Sequence, residues 1–276
     1  MTIKVAGLVS FIRLNMTQHK KELDIITKAA SYFLPEGAFI AGGALTSAFT
    51  NTPINDVDMY FKSEELFKQA IEHAYDDALW CVAATDRAVT FVQDNNIIQL
   101  MHFDFFETPA AVFDAFDYTV CMAAYDVDAK DFVFHEDFMK HAAQRKLSFH
   151  SGTRYPYNSL LRVLKYQGRG YTINKADLLR IGLTCQRVPV ASWEDLADAI
   201  GGQYGEKALL ETDAPFSLEA AIDLFATTEE FVVVKDKQDM PGNAEDLLHK
   251  IGLVSDEEHA ANRKAIDDAY ATRWGY

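Results

Sequence analysis

A pair of glycines followed by two aspartates one residue apart gives this chain a pattern that suits phosphate chemistry. Asp56 and Asp58 stand in the strand-like segment DVDMYF, where positions i and i+2 share one face. Two such carboxylates repel each other unless a divalent cation lies between them, and hard oxygen ligands of this kind suit Mg²⁺. Gly42 and Gly43, upstream of this segment, lack side chains where a backbone must approach a ligand such as a phosphate. The order predicts a site for phosphoryl or nucleotidyl transfer.

Alternating strands and helices are predicted around this motif. The apolar run Phe39–Ala41 predicts a strand that leads into the glycines, and Ala44–Phe49 predicts a short helix that leaves them. Ser63 is placed to cap a following helix, whose first turn carries the acidic residues favoured there. Three further strands are predicted over residues 80–85, 88–93 and 96–106, with Asp94–Asn95 or Asn95–Asn96 as the hairpin turn between the last two.

The second half of the chain is predicted to be helical. Its helical segments follow Gly152 and cover residues 158–166, 175–183, 192–201, 217–227, 243–251 and 256–274. The segment Phe231–Val234 is compatible with a strand or with a helix end. These patterns predict an α+β fold in two domains, with a sheet over residues 1–152 and an all-helical part over residues 153–276.

Composition narrows the class of protein. The 276 residues are 49% hydrophobic and 24% charged, as in a globular chain, and no apolar run is long enough to span a membrane. Three widely spaced cysteines support neither a disulfide framework nor a zinc site and fit the reducing cytoplasm, or a host cytoplasm if a phage encodes the chain. The formal net charge of −15 argues against an extended surface for duplex nucleic acid.

Three later segments can be compared with a known family. Ala115–Asp126 reads AFDYTVCMAAYD, Gln144–Phe149 reads QRKLSF, and Ser159–Tyr166 reads SLLRVLKY. With the glycine pair and Asp-x-Asp before them, these segments resemble the DNA polymerase beta-like nucleotidyltransferase superfamily. The closest resemblance is to the head and neck of tRNA nucleotidyltransferases (CCA-adding enzymes) and bacterial poly(A) polymerases. It covers roughly the first 170 residues.

The resemblance implies a nucleotidyltransferase head, with a mixed, mostly antiparallel sheet flanked by helices, and a helical neck. It also implies a Mg²⁺-dependent enzyme that transfers a nucleoside monophosphate from an NTP to a hydroxyl acceptor, such as an RNA 3′ end. The carboxylates of Asp56 and Asp58 would hold two Mg²⁺ ions. Nucleotide contacts are implied for Gly42, Gly43, Thr46, Ser47, Asp117, Arg145, Arg162 and Lys165.

The position of a third catalytic carboxylate is open. Gln99 falls where many members of the family place a metal-binding glutamate. If the alignment shifts, Asp104 becomes the third carboxylate instead. We therefore predict Asp56, Asp58 and Asp104 as the catalytic residues, and the alternative is that no third carboxylate exists.

Other departures from the family concern substrate choice. Thr46–Ser47 replaces an Arg-Asp pair of the family. Ala115–Phe116 replaces the Arg-Arg pair that precedes the family's aspartate, which is Asp117 here. The base-selecting Glu-Asp of CCA-adding enzymes is Asn158–Ser159 here, which removes the reason to expect addition of C and then A.

Three functions remain open from the sequence. The first is a nucleotidyltransferase that acts on an RNA 3′ end or another hydroxyl. The second is a transferase of the same fold that modifies a protein or small molecule, which the acidic charge favours. The third is a nucleotide-binding or structural protein without catalysis, which the missing arginines favour. Arg162, Lys165 and Arg169 share one helix face, where phosphate or base contact and an ordinary solvated face are the two interpretations.

Overall fold

The computed structural model describes residues 2–3, 11–15, 19–202, 207–210, 212–228, 233–234 and 240–274. Its strands are β1 (Thr2–Ile3), β2 (Phe11–Asn15), β3 (Ala38–Ala41), β4 (Val57–Phe61), β5 (Trp80–Ala84), β6 (Ala88–Gln93), β7 (Asn96–Met101), β8 (Ala123–Asp126), β9 (Asp131–His135), β10 (Lys146–Leu147), β11 (Thr172–Ile173), β12 (Lys207–Ala208) and β13 (Val233–Val234). Its helices are α1 (Lys20–Ala29), α2 (Gly43–Thr50), α3 (Glu64–Asp76), α4 (Pro109–Val112), α5 (Phe138–Gln144), α6 (Pro156–Gly168), α7 (Lys175–Cys185), α8 (Trp193–Gly201), α9 (Leu218–Thr227), α10 (Ala244–Lys250) and α11 (Asp256–Trp274).

A nine-stranded sheet organises the described part of the chain. Its strand order is β1-β2-β9-β8-β3-β4-β7-β6-β5. Among the described strands of this sheet, β4 and β7 pair in parallel and the other neighbours pair antiparallel. The predicted mixed, mostly antiparallel sheet flanked by helices is therefore confirmed, and the fold is α+β.

The two faces of this sheet bury different sets of side chains. Alternation along β3 and β4 places Ile40 and Met59 on one face, which we call the helix face, where α1 and α3 cover them. Phe39, Tyr60 and Asp58 lie on the opposite face, which we call the site face. Two 3₁₀ turns (Phe113–Ala115 and Thr119–Cys121) and the helices α6 and α7 pack over part of the site face.

Local sequence signals explain the elements that frame this sheet. The Ser63 hydroxyl accepts a hydrogen bond from the Leu66 amide and caps α3, as predicted. The β6–β7 hairpin turns at Asp94 and Asn95, whose φ angles of 51° and 64° are the positive values that a tight hairpin turn requires. The first of the two predicted turn positions is therefore confirmed. The predicted strand over 96–106 is too long, because β7 ends at Met101.

The C-terminal part is helical in all six predicted segments, with ends that differ by at most two residues from those predicted. It is not all-helical, because the two-residue strands β11, β12 and β13 interrupt it. Val233–Val234 forms β13, while residues 231–232 lie outside the described residues. None of the described helices is both long and apolar enough to cross a membrane.

Apolar clusters join residues from both sides of the predicted boundary at 152. Val163 on α6 and Ile181 on α7 belong to the cluster on the site face. Leu247 on α10 belongs to the cluster on the helix face, and the hydroxyl of Tyr75 donates to the carbonyl oxygen of Pro241 over 2.7 Å. The helices α6, α7 and α10 thus contribute to the apolar clusters on the two faces of the sheet. The domain boundary at residue 152 itself stays a prediction.

Candidate active site

The aspartate pair lies on the site face at the start of β4. Asp58 pairs with Ala41 of β3 and Gln99 of β7 and is 5% exposed. Asp56 directly precedes the strand and is half-buried. Tyr60 is on the same face, two residues further; burial, and then the charge of Asp58, raise the pKa of its phenol well above the ordinary value. The two aspartates therefore have solvent on the side of Asp56 and the neutral, buried ring of Tyr60 on the side of Asp58.

The glycine pair brings the start of α2 next to this pair. Gly42 has φ +86° and ψ −138°, a conformation that side chains other than glycine rarely adopt. A Cβ atom at Gly42 would lie 3.6 Å from Oδ2 of Asp58 and 3.6 Å from Cζ of Phe116, whereas one at Gly43 would meet nothing within 4 Å. No side chain caps α2. An uncapped helix start beside open space suits an anion such as a phosphate.

A buried ion pair holds one arginine at the site. Nη1 of Arg162 donates to Oδ1 of Asp117 over 2.8 Å, and the Asp117 side chain is 4% exposed. Nη2 of Arg162 lies 3.3 Å from the Tyr166 hydroxyl and 3.6 Å from Sγ of Cys121, and these last two atoms are 2.8 Å apart. Burial raises the pKa of both Cys121 and Tyr166, so they remain neutral beside the guanidinium. The sequence prediction that Asp117 and Arg162 belong to one site agrees with this geometry.

A small enclosed cavity lies between these elements. Its volume is about 30 Å³, and its lining is formed by Gly42, Gly43, Asp58, Phe116, Cys121, Asn158 and Arg162. One water molecule needs roughly 10–15 Å³ of such space, so the cavity admits an ion or about two water molecules. A bound nucleotide would have to extend toward Asp56 and solvent, or displace the ring of Phe116. Sequence reasoning gave Phe116 only as a lost arginine and missed that its ring fills the site.

Lys165 lies on the side of Asp56. Partial burial of its amine, and then the guanidinium groups of Arg162 and Arg169, lower its pKa, while the carboxylate of Asp56 acts in the opposite direction. The cations Arg162, Lys165 and Arg169 of α6 and its C-cap thus lie close enough to one another and to Asp56 to act on the pKa of the Lys165 amine. Both interpretations of this helix face, phosphate contact and an ordinary solvated face, stay predictions.

The remaining predicted nucleotide ligands are engaged elsewhere. The Thr46 hydroxyl donates to the carbonyl oxygen of Val120 over 2.5 Å, so it fixes α2 to the 3₁₀ turn. Ser47 is 7% exposed. Arg145, the C-cap of α5, donates from Nη1 to the carbonyl oxygen of Arg169 over 2.5 Å and lies over the ring of Tyr171. The structure therefore does not bring Arg145 into the lining of the cavity.

Asp104 is not brought to the aspartate pair. After β7 ends, the chain runs beside the far end of β4, where the Phe106 amide donates to the carbonyl oxygen of Phe61 over 2.9 Å. Asp104 lies in this stretch, 43% exposed, and its Oδ2 accepts from Arg154 over 3.0 Å. The parallel register places Gln99 beside Asp58 instead. A shift of the alignment with the family would not bring Asp104 to the aspartate pair, because Asp104 is beyond the end of β7.

The donor atoms at the pair fit a Mg²⁺ ion. Within the described part of the chain, no group of three or more His, Cys, Asp or Glu side chains could hold a metal. A third oxygen would come from Gln99, which pairs with Asp58 in the sheet and whose Oε1 is buried with no hydrogen-bond partner among the described residues. Two carboxylates and one carboxamide oxygen are hard ligands, and Mg²⁺ accepts water and phosphate oxygens for the rest of its shell.

Asn158 shows why base selection of the CCA-adding type does not follow from this neck. Its Nδ2 donates to the carbonyl oxygen of Ile200 over 2.7 Å, at the end of α8. Arg87 holds the same helix end, donating to the carbonyl oxygen of Gly202 and to Asp198, each over 2.7 Å. The position that selects a base in the family is therefore used here to attach α8.

The sheet order, the aspartate pair at the start of β4 and the glycine turn before α2 form a fold that is similar to that of CCA-adding enzymes. Two solved structures share this fold. The Thermotoga maritima CCA-adding enzyme in complex with a tRNA has a TM-score of 0.50 at 11% identity, covering 69% of this chain and 49% of that one. A CCA-adding enzyme in complex with CTP has a TM-score of 0.51 at 10% identity, covering 69% and 51%.

The sequence is also similar to a phage protein. The sequence profile described as the Gabija anti-defense 2 family protein, Gad2, matches residues 15–145. A protein of Bacillus phage SPbetaL7 named Gabija anti-defense 2 is 39% identical over 242 residues, which cover 84% of this chain and 59% of that protein. The chain thus spans somewhat more than half the length of this phage relative.

Proposed function

We propose that this protein is a Mg²⁺-dependent nucleotidyltransferase that moves a nucleoside monophosphate from an NTP to a hydroxyl acceptor. The observation that carries this proposal is the placement of Asp56 and Asp58 on one face of β4, between the uncapped start of α2 and the cations Arg162 and Lys165. A triphosphate needs all three features: a metal site, backbone donors and positive side chains.

The residues of this chain have distinct roles in the proposed reaction. Arg162, fixed by Asp117, and Lys165 bind and orient the triphosphate. The acceptor hydroxyl oxygen bonds to the α-phosphorus, the bond from that phosphorus to its bridging oxygen breaks, and pyrophosphate leaves with the electron pair. The hydroxyl proton passes to Asp56, which is half-buried and can release it to solvent. Asp56, Asp58 and Gln99 would hold a Mg²⁺ ion, which would supply charge neutralisation at the phosphate oxygens.

The biological setting is proposed from the phage relative. A protein named Gabija anti-defense 2 suggests that this chain opposes the Gabija defence, in the cytoplasm of an infected bacterium, through transfer of a nucleotide to a component of the host. The fold neighbours carry a tRNA or CTP, which keeps an RNA 3′ end among the candidate acceptors.

A second candidate function is nucleotide binding without transfer. The small volume of the enclosed cavity, about 30 Å³, and the ring of Phe116 inside it favour this alternative, because both leave little room for a reacting acceptor. In that case the protein would sequester a metal–nucleotide complex and would not consume it.

Calorimetry with each of the four NTPs and Mg²⁺ tests the proposal. We expect the wild type to bind at least one metal–NTP complex and Asp58→Asn to lose this binding. Asp104→Asn is the matched control, because Asp104 is an exposed aspartate beyond β7, and it should bind as the wild type does. Equal affinities for wild type and Asp58→Asn would refute the site. Binding without release of pyrophosphate in the presence of acceptors would favour the second function.

A further inference from the structure

Three apolar side chains form a strip on an uncovered part of the site face. Trp80 of β5 pairs with Val92 of β6, which pairs with Ile97 of β7, so their side chains point to the same side of the sheet. Trp80 is 75% exposed and Ile97 is 38% exposed. We call these three residues the tryptophan strip.

The tryptophan strip leads directly to the aspartate pair. Ile97 and Gln99 alternate along β7 on the site face, and Gln99 pairs with Asp58. Asp56 precedes Val57, which pairs with Ile98, so Asp56 is beside Ile97 at the strand start. Three strand spacings of about 4.8 Å separate β4 from β5, so the indole of Trp80 lies about 14 Å from the aspartates. One docked molecule can span this distance.

The exposure of Trp80 is not required by the core of the sheet. The opposite face of the same strands is already sealed by Cys81, Phe91 and Ile98, which are buried on the helix face. An aromatic side chain left in water next to a reactive site is characteristic of a binding surface, and tryptophan is enriched among residues that dominate protein–protein affinity. A cleft of about 580 Å³ touches Trp80 at the outer edge of β5, but Tyr75 and Met240, which pack on the helix face, also line it, so it is a feature of the sheet edge and not of the strip.

Charge around the strip selects the kind of partner. Asp77 and Asp94 lie at the same end of the sheet, where Nε2 of Gln93 donates to the carbonyl oxygen of Asp77 over 3.4 Å. Arg87, in the β5–β6 turn, is engaged by Asp198 and the carbonyl oxygen of Gly202. The whole chain carries a formal charge of −15. Along the tryptophan strip, away from the cations of α6, these charges disfavour a phosphate backbone and favour a basic polypeptide.

We propose that the acceptor is a protein. This inference rests on the proposed nucleotidyltransferase function. A basic segment of the partner places an apolar side chain against the tryptophan strip and brings a Ser, Thr or Tyr hydroxyl to Asp56. That oxygen bonds to the α-phosphorus of the NTP, pyrophosphate leaves with the electron pair of the broken bond, and the proton passes through Asp56 to solvent. The product is a nucleotidylated side chain.

The experiment uses the full chain with α-labelled NTP and Mg²⁺ and two sets of acceptors. One set is a library of Lys- and Arg-rich peptides that contain Ser, Thr or Tyr, and the other is a set of single-stranded RNA oligonucleotides with free 3′ ends. Peptides should be labelled, and Trp80→Ala should lower that rate at least tenfold. Ile97→Lys should lower peptide labelling as well, because it places a positive charge in the strip. Metal–NTP affinity should stay within about twofold of wild type in Trp80→Ala, because Trp80 lies three strands away from the aspartate pair.

Leu179→Ala is the matched control, because Leu179 is a 69% exposed apolar residue on α7, away from β5–β7. It should leave labelling unchanged. Label on RNA only, peptide labelling insensitive to Trp80→Ala, or no labelled acceptor despite Asp58-dependent NTP binding would each overturn the protein acceptor while leaving the nucleotide site intact. Absence of NTP binding in the wild type would overturn the proposed function, and the acceptor with it.

Discussion

The two faces of the central sheet are stabilised in different ways, although the same strands form both. On the helix face, Ile40 and Met59 belong to an apolar cluster that includes Phe67 of α3. On the site face, apolar residues such as Tyr60 alternate with the buried carboxylates of Asp58 and Asp117. The core of the helix face is held mainly by burial, and its residues can be exchanged for others of similar volume. The site face is held only if each buried charge keeps its partner.

This difference separates stability from function within one sheet. Substitutions on the helix face should change the free energy of unfolding and leave the affinity of the folded protein for ligands unchanged. Substitutions on the site face should change binding or transfer, and their effect on stability should depend on which partner is left behind. The predictions below test this separation.

The largest effect is expected from Asp58→Asn. Removing one of two carboxylates that hold the proposed metal should lower the transfer rate by about 10³-fold or more, which is roughly 4 kcal/mol of transition-state stabilisation. Asp58 is 5% exposed and close to Asp56, so removing one of two like charges should leave the free energy of unfolding unchanged or raise it. Release of labelled pyrophosphate measures the first quantity and urea unfolding the second. A large loss of stability would show that Asp58 is a structural residue.

The next effect is expected on the helix face, from Phe67→Ala. Phe67 is fully buried and lies 5.4 Å from the ring of Phe61, so its removal leaves a cavity in a closed core. We expect a loss of about 3–5 kcal/mol in the free energy of unfolding. Calorimetry on the remaining folded protein should give the wild-type affinity for metal–NTP. Weaker binding at unchanged stability would contradict the separation of the two faces.

A smaller loss is expected from Arg162→Met on the site face. The variant leaves Asp117, whose side chain is 4% exposed, without its ion-pair partner. Because Arg162 is itself partly exposed, we expect about 2–3 kcal/mol, at or below the low end for breaking a buried pair. The double variant Asp117→Asn with Arg162→Met should recover most of this stability but not NTP binding. If the double variant is no more stable than Arg162→Met, the loss comes from packing and not from the unpaired carboxylate.

The sequence predicts what depends on neighbours in the chain. The aspartate pair is readable because i and i+2 on a strand share a face whatever surrounds them. The helices of the second half begin at polar caps such as Asn174, Ser192 and Asn243, whose side chains accept from the amide three residues later. Arg162 is readable through its motif. Each of these signals is local, and each agrees with the structure.

The positions of residues that depend on strand pairing or on contacts distant in the sequence cannot be predicted in this way. Asp104 is a plausible strand residue until the chain is seen to leave β7 at Met101. Asn158 looks like a lost base-selecting residue, and its bond to Ile200 requires the position of α8. Trp80 lies in a predicted strand, but which face it occupies is set by its partner Val92. A hydrophobic pattern of period two shows that side chains alternate between the two faces of a strand, but it does not show which face other elements cover.

The smallest effect is expected where α10 closes the edge of the helix face. Asp246 accepts from His259 and from Arg263, and these bonds, the His259 bond first, lower its pKa from 3.8 to about 2. A carboxyl with a lower pKa in the folded state stabilises fully above pH 3.8 and loses that contribution as the pH falls toward 2. Hydrogen exchange of the α10 amides should therefore accelerate over this range.

Asp246→Asn is the control for this pH dependence, because it keeps a side-chain oxygen and removes the titration. The difference in exchange between wild type and variant should be largest above pH 3.8 and shrink toward pH 2. Because Leu247 and Leu248 of α10 pack on the helix face while the aspartate pair lies on the other, metal–NTP affinity at neutral pH should be the same in both proteins. A lower affinity in Asp246→Asn would mean that the helix face and the site face are coupled through the sheet, and the separation argued above would fail.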